Sequence, residues 1–185
     1  MLGEPIKDAY IAVIGVAGSG KSSFISTCAG SKPQKTIATR EIEDVDFMFN
    51  DSLRVHLLDT PGFSDIGDKA DADILKSLML HLMEITKQEK KLSGVVLVHP
   101  ISAQKAIGPS LLHALMLMRL YTDSFHESVA LVTSSWSGVT LDEGRRRERE
   151  MVEDNKFFSS MTEMGSKMFR YDDSRQSALD IVSHV

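Results

Sequence analysis

Gly15-Val16-Ala17-Gly18-Ser19-Gly20-Lys21-Ser22 fits the spacing G-x-x-x-x-G-K-[ST] at every fixed position. An apolar, β-branched run, Tyr10 to Val16, leads into it and reads as a buried strand, and Lys21 to Ser26 can open a helix. Glycines let such a turn wrap inward so that its backbone N–H groups point at phosphate oxygens. The helix N-terminus adds a partial positive charge at the same spot. Lys21 would then reach the β- and γ-phosphates, and the Ser22 hydroxyl would ligate Mg²⁺. Gly15, Ala17, Gly18, Ser19, Gly20, Lys21, Ser22 and Ser23 are the candidate phosphate contacts. A glycine-rich turn that binds nothing looks the same locally, so a second motif has to decide.

That motif lies on the far side of a hairpin. Gly30 to Thr39 is a polar loop with Pro33, and Ile42, Val45, Phe47 and Phe49 mark a strand over Glu41 to Phe49. Asn50-Asp51 makes a tight turn, and Leu53 to Leu58 returns antiparallel to end in Asp59-Thr60-Pro61-Gly62, a D-x-x-G. Asp59 thereby sits at the carboxyl end of a strand, where ligands collect in open α/β sheets. There it can hold Mg²⁺, while the N–H of Gly62 can approach a γ-phosphate with no side chain in the way. A strand-ending turn favours the same residues, but two such motifs in this order, each after an apolar strand, point to nucleotide.

Composition narrows the class. The 185 residues carry 42% hydrophobic and 25% charged side chains, as in a soluble globular domain. A net charge of −5 excludes a general nucleic-acid binder, which should be basic. The single cysteine, Cys28, falls where the first helix runs and reads as a buried structural thiol in a reducing cytosol. The apolar stretch Leu111 to Leu120 is interrupted by His113 and Arg119 and is too short to span a bilayer. The sequence therefore reads as one soluble, cytoplasmic domain over residues 1–185, with a C-terminus that could be trimmed.

The remaining chain alternates helices and strands. Phe63 to Asp73 reads as a solvated loop, with Asp71 and Asp73 favoured at the start of a helix that runs to about Lys87. Val95 to Val98 and Val129 to Val132 are short, wholly apolar strands, separated by a helix over Pro109 to Tyr121. Leu141 to Asp154 is a charged helix with a solvated face, Lys167 to Tyr171 is strand-like, and a last helix starts near Ser174. Such alternation implies right-handed βαβ units around a mostly parallel sheet.

With both motifs placed, the chain resembles a P-loop GTPase G domain of the translation-factor-related class. It most resembles a set of small fungal G proteins allied to septins and immunity-associated GTPases. The resemblance rests on Ile11 to Gly15, Leu58 to Phe63, Asp71 to Leu75, Lys91 to Val95, Val98-His99 with Ile101-Ser102, Val132-Thr133 with Trp136, and Lys156-Phe157-Phe158. It implies a three-layer α/β P-loop NTPase fold, a mostly parallel six-stranded sheet with one antiparallel hairpin strand. It also implies GTP and GDP as ligands, Mg²⁺ as cofactor, and an effector or a second copy of the chain as partner. A switch threonine should enter the Mg²⁺ shell, with Thr39 the best match and Thr36 the alternative. The catalytic set is then Lys21, Thr39 and Gly62, and the metal set Ser22, Thr39 and Asp59.

Three departures stand out. After the fifth strand the chain reads Thr133-Ser134-Ser135-Trp136 where guanine-specific G domains carry N-K-x-D. Neutral hydroxyls at Thr133 and Ser134, with Trp136 as a stacking surface, predict loose base selection that admits ATP and ADP. Phe63 follows Gly62 where Ras-like proteins place a water-orienting glutamine, which predicts slow turnover. His99-Pro100 replaces the His-Arg of relatives. A nucleotide-dependent assembly module with little hydrolysis is the alternative to a hydrolysing switch.

Overall fold

The computed structural model describes residues 5–31, 41–64, 69–103 and 107–185. Strands β1 (Lys7–Gly15), β2 (Glu43–Asn50), β3 (Leu53–Asp59), β4 (Leu92–Pro100), β5 (Val129–Ser134) and β6 (Lys167–Arg170) form one six-stranded sheet in the order β2-β3-β1-β4-β5-β6. Only the β2–β3 pair is antiparallel. Helices α1 (Lys21–Cys28), α2 (Lys69–Lys87), α3 (Pro109–Arg119), α4 (Leu141–Glu153), α5 (Lys156–Glu163) and α6 (Arg175–Val182), with a 3₁₀ turn at Trp136–Gly138, complete the described elements. This is the three-layer α/β architecture expected of a P-loop G domain.

The period of two along each strand sorts side chains between the layers. Tyr10, Ala12 and Ile14 join Leu78 and Leu82 of α2, Leu111 and Met118 of α3, and Phe158 of α5 in one cluster. Ile11 and Val13 join Phe24 and Cys28 of α1 and Ala178 and Ile181 of α6 in the other. The Cys28 thiol is pushed up to about 12 by burial, which leaves it an inert packing group, as expected.

Two boundaries and one further helix stand out against the sequence reading. Helix α2 begins at Lys69, inside the stretch expected to be loop, because Asp71 turns its carboxylate inward. Strand β4 extends over both ends of its apolar core. Helix α5 went unassigned in the sequence; the Asn155 side chain caps it by accepting from the N–H of Phe157, and Phe158 and Met161 anchor its inner face. Five strands run parallel and so bring Gly15, Asp59, Pro100, Ser134 and Arg170 to one edge of the sheet. Ligands of open α/β sheets bind at that edge.

Candidate functional site

The turn after β1 opens α1 as the sequence suggested. Gly18 and Gly20 have φ of 75° and 92°, a left-handed backbone that side chains disfavour, and Gly20 is the residue from which α1 starts. Lys21 folds back over this turn, its Nζ donating to the carbonyls of Val16 at 3.0 Å and Gly15 at 3.3 Å. Burial lowers its pKa from the ordinary lysine value to about 8, against the opposing pull of the Asp59 carboxylate. Ser22 and Ser23 are half-buried in the first turn, and Ser19 is fully buried. The Ser19 Oγ has no hydrogen-bond partner among the described residues, an uncommon state for a buried hydroxyl.

The segment after β3 lies directly on this turn. The Thr60 hydroxyl donates to the Val13 carbonyl at 2.8 Å, the Phe63 N–H to Gly15 O at 3.2 Å, and the Ala17 N–H to Phe63 O at 3.0 Å. Gly62 is thereby pressed on Ala17 so closely that a Cβ at position 62 would sit 2.7 Å from the Ala17 nitrogen. Phe63, expected in a solvated loop, is completely buried in the α2–α3 side of the core. Its ring is too apolar to remain in water, and the two backbone bonds with the turn draw it in. Asp59 is buried at the edge beside this segment.

At the end of β5 the structure gives each predicted base contact an internal role. The Ser134 Oγ donates to the Ser19 carbonyl at 2.7 Å, tying β5 to the phosphate turn. The Thr133 Oγ1 donates to Phe169 O at 3.1 Å and accepts from the Trp136 indole N–H at 3.1 Å. One face of Trp136 carries the Arg170 guanidinium, 4.6 Å from the ring centroid, and Arg170 is itself paired with Glu148 of α4. Gly144 of α4 also packs on the ring, where a Cβ would come within 2.5 Å. Thr133, Ser134 and Trp136 thus form a braced turn at the carboxyl end of β5, with Trp136 half-buried. Ser135 between them holds a left-handed backbone, φ 61°.

Thr39 and Thr36 lie outside the described residues. His99 is buried edge-on to Phe158 under α5, with centroids 5.5 Å apart. The Ser64–Asp71 pairing was not legible in the sequence, because nothing in the spacing of those residues announces it.

Mg²⁺ takes oxygen ligands and keeps several waters, so one or two protein oxygens beside phosphates suffice. Among the described residues no group of three or more His, Cys, Asp or Glu converges on one point. The Ser22 hydroxyl, the buried Asp59 carboxylate and the orphaned Ser19 Oγ beside the buried Lys21 ammonium fit an Mg²⁺–phosphate ligand.

A family model described as "50S ribosome-binding GTPase" matches residues 10–114, more than half of the chain. No curated protein matches the sequence. Among solved structures, bacterial selenocysteine-specific elongation factor EF-Sec aligns over 96% of this chain with TM-score 0.63 and 18% identity. The chain spans 27% of that factor's length. Toc33 from Arabidopsis thaliana, in complex with Mg²⁺ and GMPPNP, aligns over 91% of this chain and 72% of its own, with TM-score 0.67 and 12% identity. Era, in complex with MgGDPNP and a segment of 16S ribosomal RNA, aligns over 95% and 52%, with TM-score 0.58 and 14% identity. At such identities the likeness is one of fold. No described helix is long and apolar enough to cross a membrane.

Proposed function

The chain belongs to the 50S ribosome-binding GTPase family, and we propose that it is a molecular switch that binds GTP with Mg²⁺ and hydrolyses it slowly to GDP and phosphate. The observation that supports this most is the direct seating of Gly62 on the phosphate turn, with the Lys21 ammonium buried beside it. Gly15, Ala17, Gly18, Ser19, Gly20, Ser22 and Ser23 cradle the phosphates in this reading, and Lys21 leaves the Gly15 and Val16 carbonyls to meet them. Ser22, Asp59 and Thr39 hold Mg²⁺, which when bound neutralises charge on the β- and γ-phosphate oxygens. The Gly62 N–H reads the γ-phosphate, and Thr39 reports its presence. Resemblance in the blocks Asp71 to Leu75, Lys91 to Val95, Val98-His99 with Ile101-Ser102, Val132-Thr133 with Trp136, and Lys156 to Phe158 supports a finer reading, a kinship with small fungal G proteins allied to septins and immunity-associated GTPases. The inert Cys28 suits a cytosolic home, and a second copy or an effector is the proposed partner.

Slow turnover follows from Phe63: a buried ring stands where a polar group would have to orient water. Base selection is loose in this reading, with Thr133, Ser134 and Trp136 as the residues nearest the base. Residues 133–137 carry no carboxylate to reward the two donors of guanine or to repel adenine. Purified protein with Mg²⁺ should turn over GTP at roughly 10⁻⁴ to 10⁻² s⁻¹. In competition titrations ATP should bind within about 1–3 kcal/mol of GTP. Turnover of many per second, or a thousandfold preference for GTP, would refute the respective claim. Undetectable hydrolysis with tight binding would favour the assembly module, which Phe63 equally suits.

The lysine also predicts a pH signature. In the ligand-free protein Lys21 loses its proton near pH 8, and bound phosphate favours the charged form. Triphosphate binding should therefore take up most of one proton at pH 9 and almost none at pH 6.5, and affinity should fall as pH rises above 8. Calorimetry in buffers of different ionisation enthalpy measures the uptake. An uptake that persists in Lys21→Met assigns it to another group.

A further inference from the structure

Residues 60–64 are fixed on one side by Thr60 and Phe63, whose three bonds all run to β1 and the turn that follows it. On the other side Ser64 turns toward α2. Its N–H donates to Asp71 Oδ1 at 2.8 Å and its hydroxyl to Asp71 Oδ2 at 3.0 Å. Asp71 is only 2% exposed. A carboxylate buried that deeply is costly unless its oxygens accept hydrogen bonds, and both oxygens accept here from one residue. An acidic residue that merely served the helix dipole would remain in water, as Asp73 does.

Gly62 stands two residues before Ser64 and is pressed on Ala17 with no spare room. Any shift of Gly62 that accommodates a third phosphate therefore reaches Ser64, and through the paired carboxylate reaches the first turn of α2. Phe63 runs parallel to this polar link, since its ring belongs to the same buried cluster as Leu78 and Leu82 of α2. We propose that Asp71 is the positioning residue that holds Gly62 in register with the phosphate turn and couples γ-phosphate occupancy to α2. The inference rests on the proposed role of Gly62 as γ-phosphate sensor.

The test titrates the full chain with GDP and with a non-hydrolysable GTP analogue, each with Mg²⁺. Asp71→Asn keeps the size of the side chain but removes its charge, and its NH₂ forces the Ser64 hydroxyl from donor to acceptor, so that two charge-assisted bonds become weaker neutral ones. Its GDP affinity should stay within about twofold of wild type, while the advantage of the analogue over GDP falls about tenfold. Ser64→Ala, which retains the N–H bond, should lose about threefold of that advantage, and Ser64→Thr should restore it. A carboxylate with a purely structural role would lower both affinities together or neither, and either result overturns the proposal. Equal binding of GDP and analogue by wild type removes the sensor reading and this inference together. A wild-type preference that survives Asp71→Asn removes the inference alone. Should Asp71→Asn fail to show a cooperative thermal transition, the Ser64→Ala and Ser64→Thr pair decides by the same criterion.

Discussion

Lys21→Ala is expected to reduce GTP hydrolysis below detection and to weaken triphosphate binding by about 2–5 kcal/mol, roughly 30- to several thousand-fold. The size of the effect comes from burial. In water an ammonium–phosphate pair is worth little, but Lys21 lies deep enough for its pKa to fall to about 8, so its charge faces the ligand with little solvent screening. Removing it takes away the attraction that Lys21 supplies to the phosphates and leaves Mg²⁺ alone to offset their charge and that of Asp59. The folded state should not suffer in proportion. Ligand-free, the lysine is desolvated, and its bonds to the Gly15 and Val16 carbonyls and the pull of the Asp59 carboxylate offset only part of that cost. Lys21→Met, which keeps the apolar stem, should therefore hold Tm within about 3 °C, the shift that ~1 kcal/mol gives a chain of this size. Wild-type turnover in Lys21→Ala, measured as phosphate release, would sink the assignment of residues 15–22 as a phosphate site. A fall in Tm of ten degrees or more in Lys21→Met would instead show a structural lysine.

The same residues show why some of the site was legible and some was not. Apolar runs and alternation marked all six strands, because parallel sheets covered on both sides leave short apolar runs such as Val95 to Val98. The phosphate turn was legible because glycine spacing and a following helix are local properties. Helix α5 escaped because its anchor is only Phe158 and Met161 on eight residues, too short for a period of 3.6 to declare itself. The base side was only partly legible for a different reason. A serine or threonine at a strand end looks available in sequence, yet Ser134 and Thr133 were already committed to Ser19 and Phe169, partners 115 and 36 residues away. Asp71 was misjudged likewise: local logic assigns an acid at a helix start to solvent, and only the fold brings Ser64 to it.

Gly62→Ala is the second change with a large expected effect, and it separates a sensor from a simple turn. The added methyl would meet Ala17 at its own nitrogen, 2.7 Å away, and at its Cβ, 3.0 Å away. Neither neighbour is the far end of a flexible chain, so residues 62–63 must move off the phosphate turn as a unit. That movement strains the reciprocal bonds between Phe63 and residues 15 and 17 and loosens a ring that is completely buried. Overpacking of this kind costs about 1–3 kcal/mol, seen as a fall in Tm of roughly 3–9 °C. The functional loss should be larger than the loss of stability. Displacing a positioning group by about 1 Å can cost roughly a hundredfold in rate. Turnover should therefore drop about a hundredfold, and the triphosphate analogue should lose affinity while GDP, which does not reach Gly62, keeps its own. Single-turnover hydrolysis and paired titrations measure both quantities. If Gly62→Ala lowers Tm but leaves turnover and the analogue-to-GDP ratio at wild-type values, the close seating on Ala17 is packing alone, and the γ-phosphate must be read elsewhere in the chain.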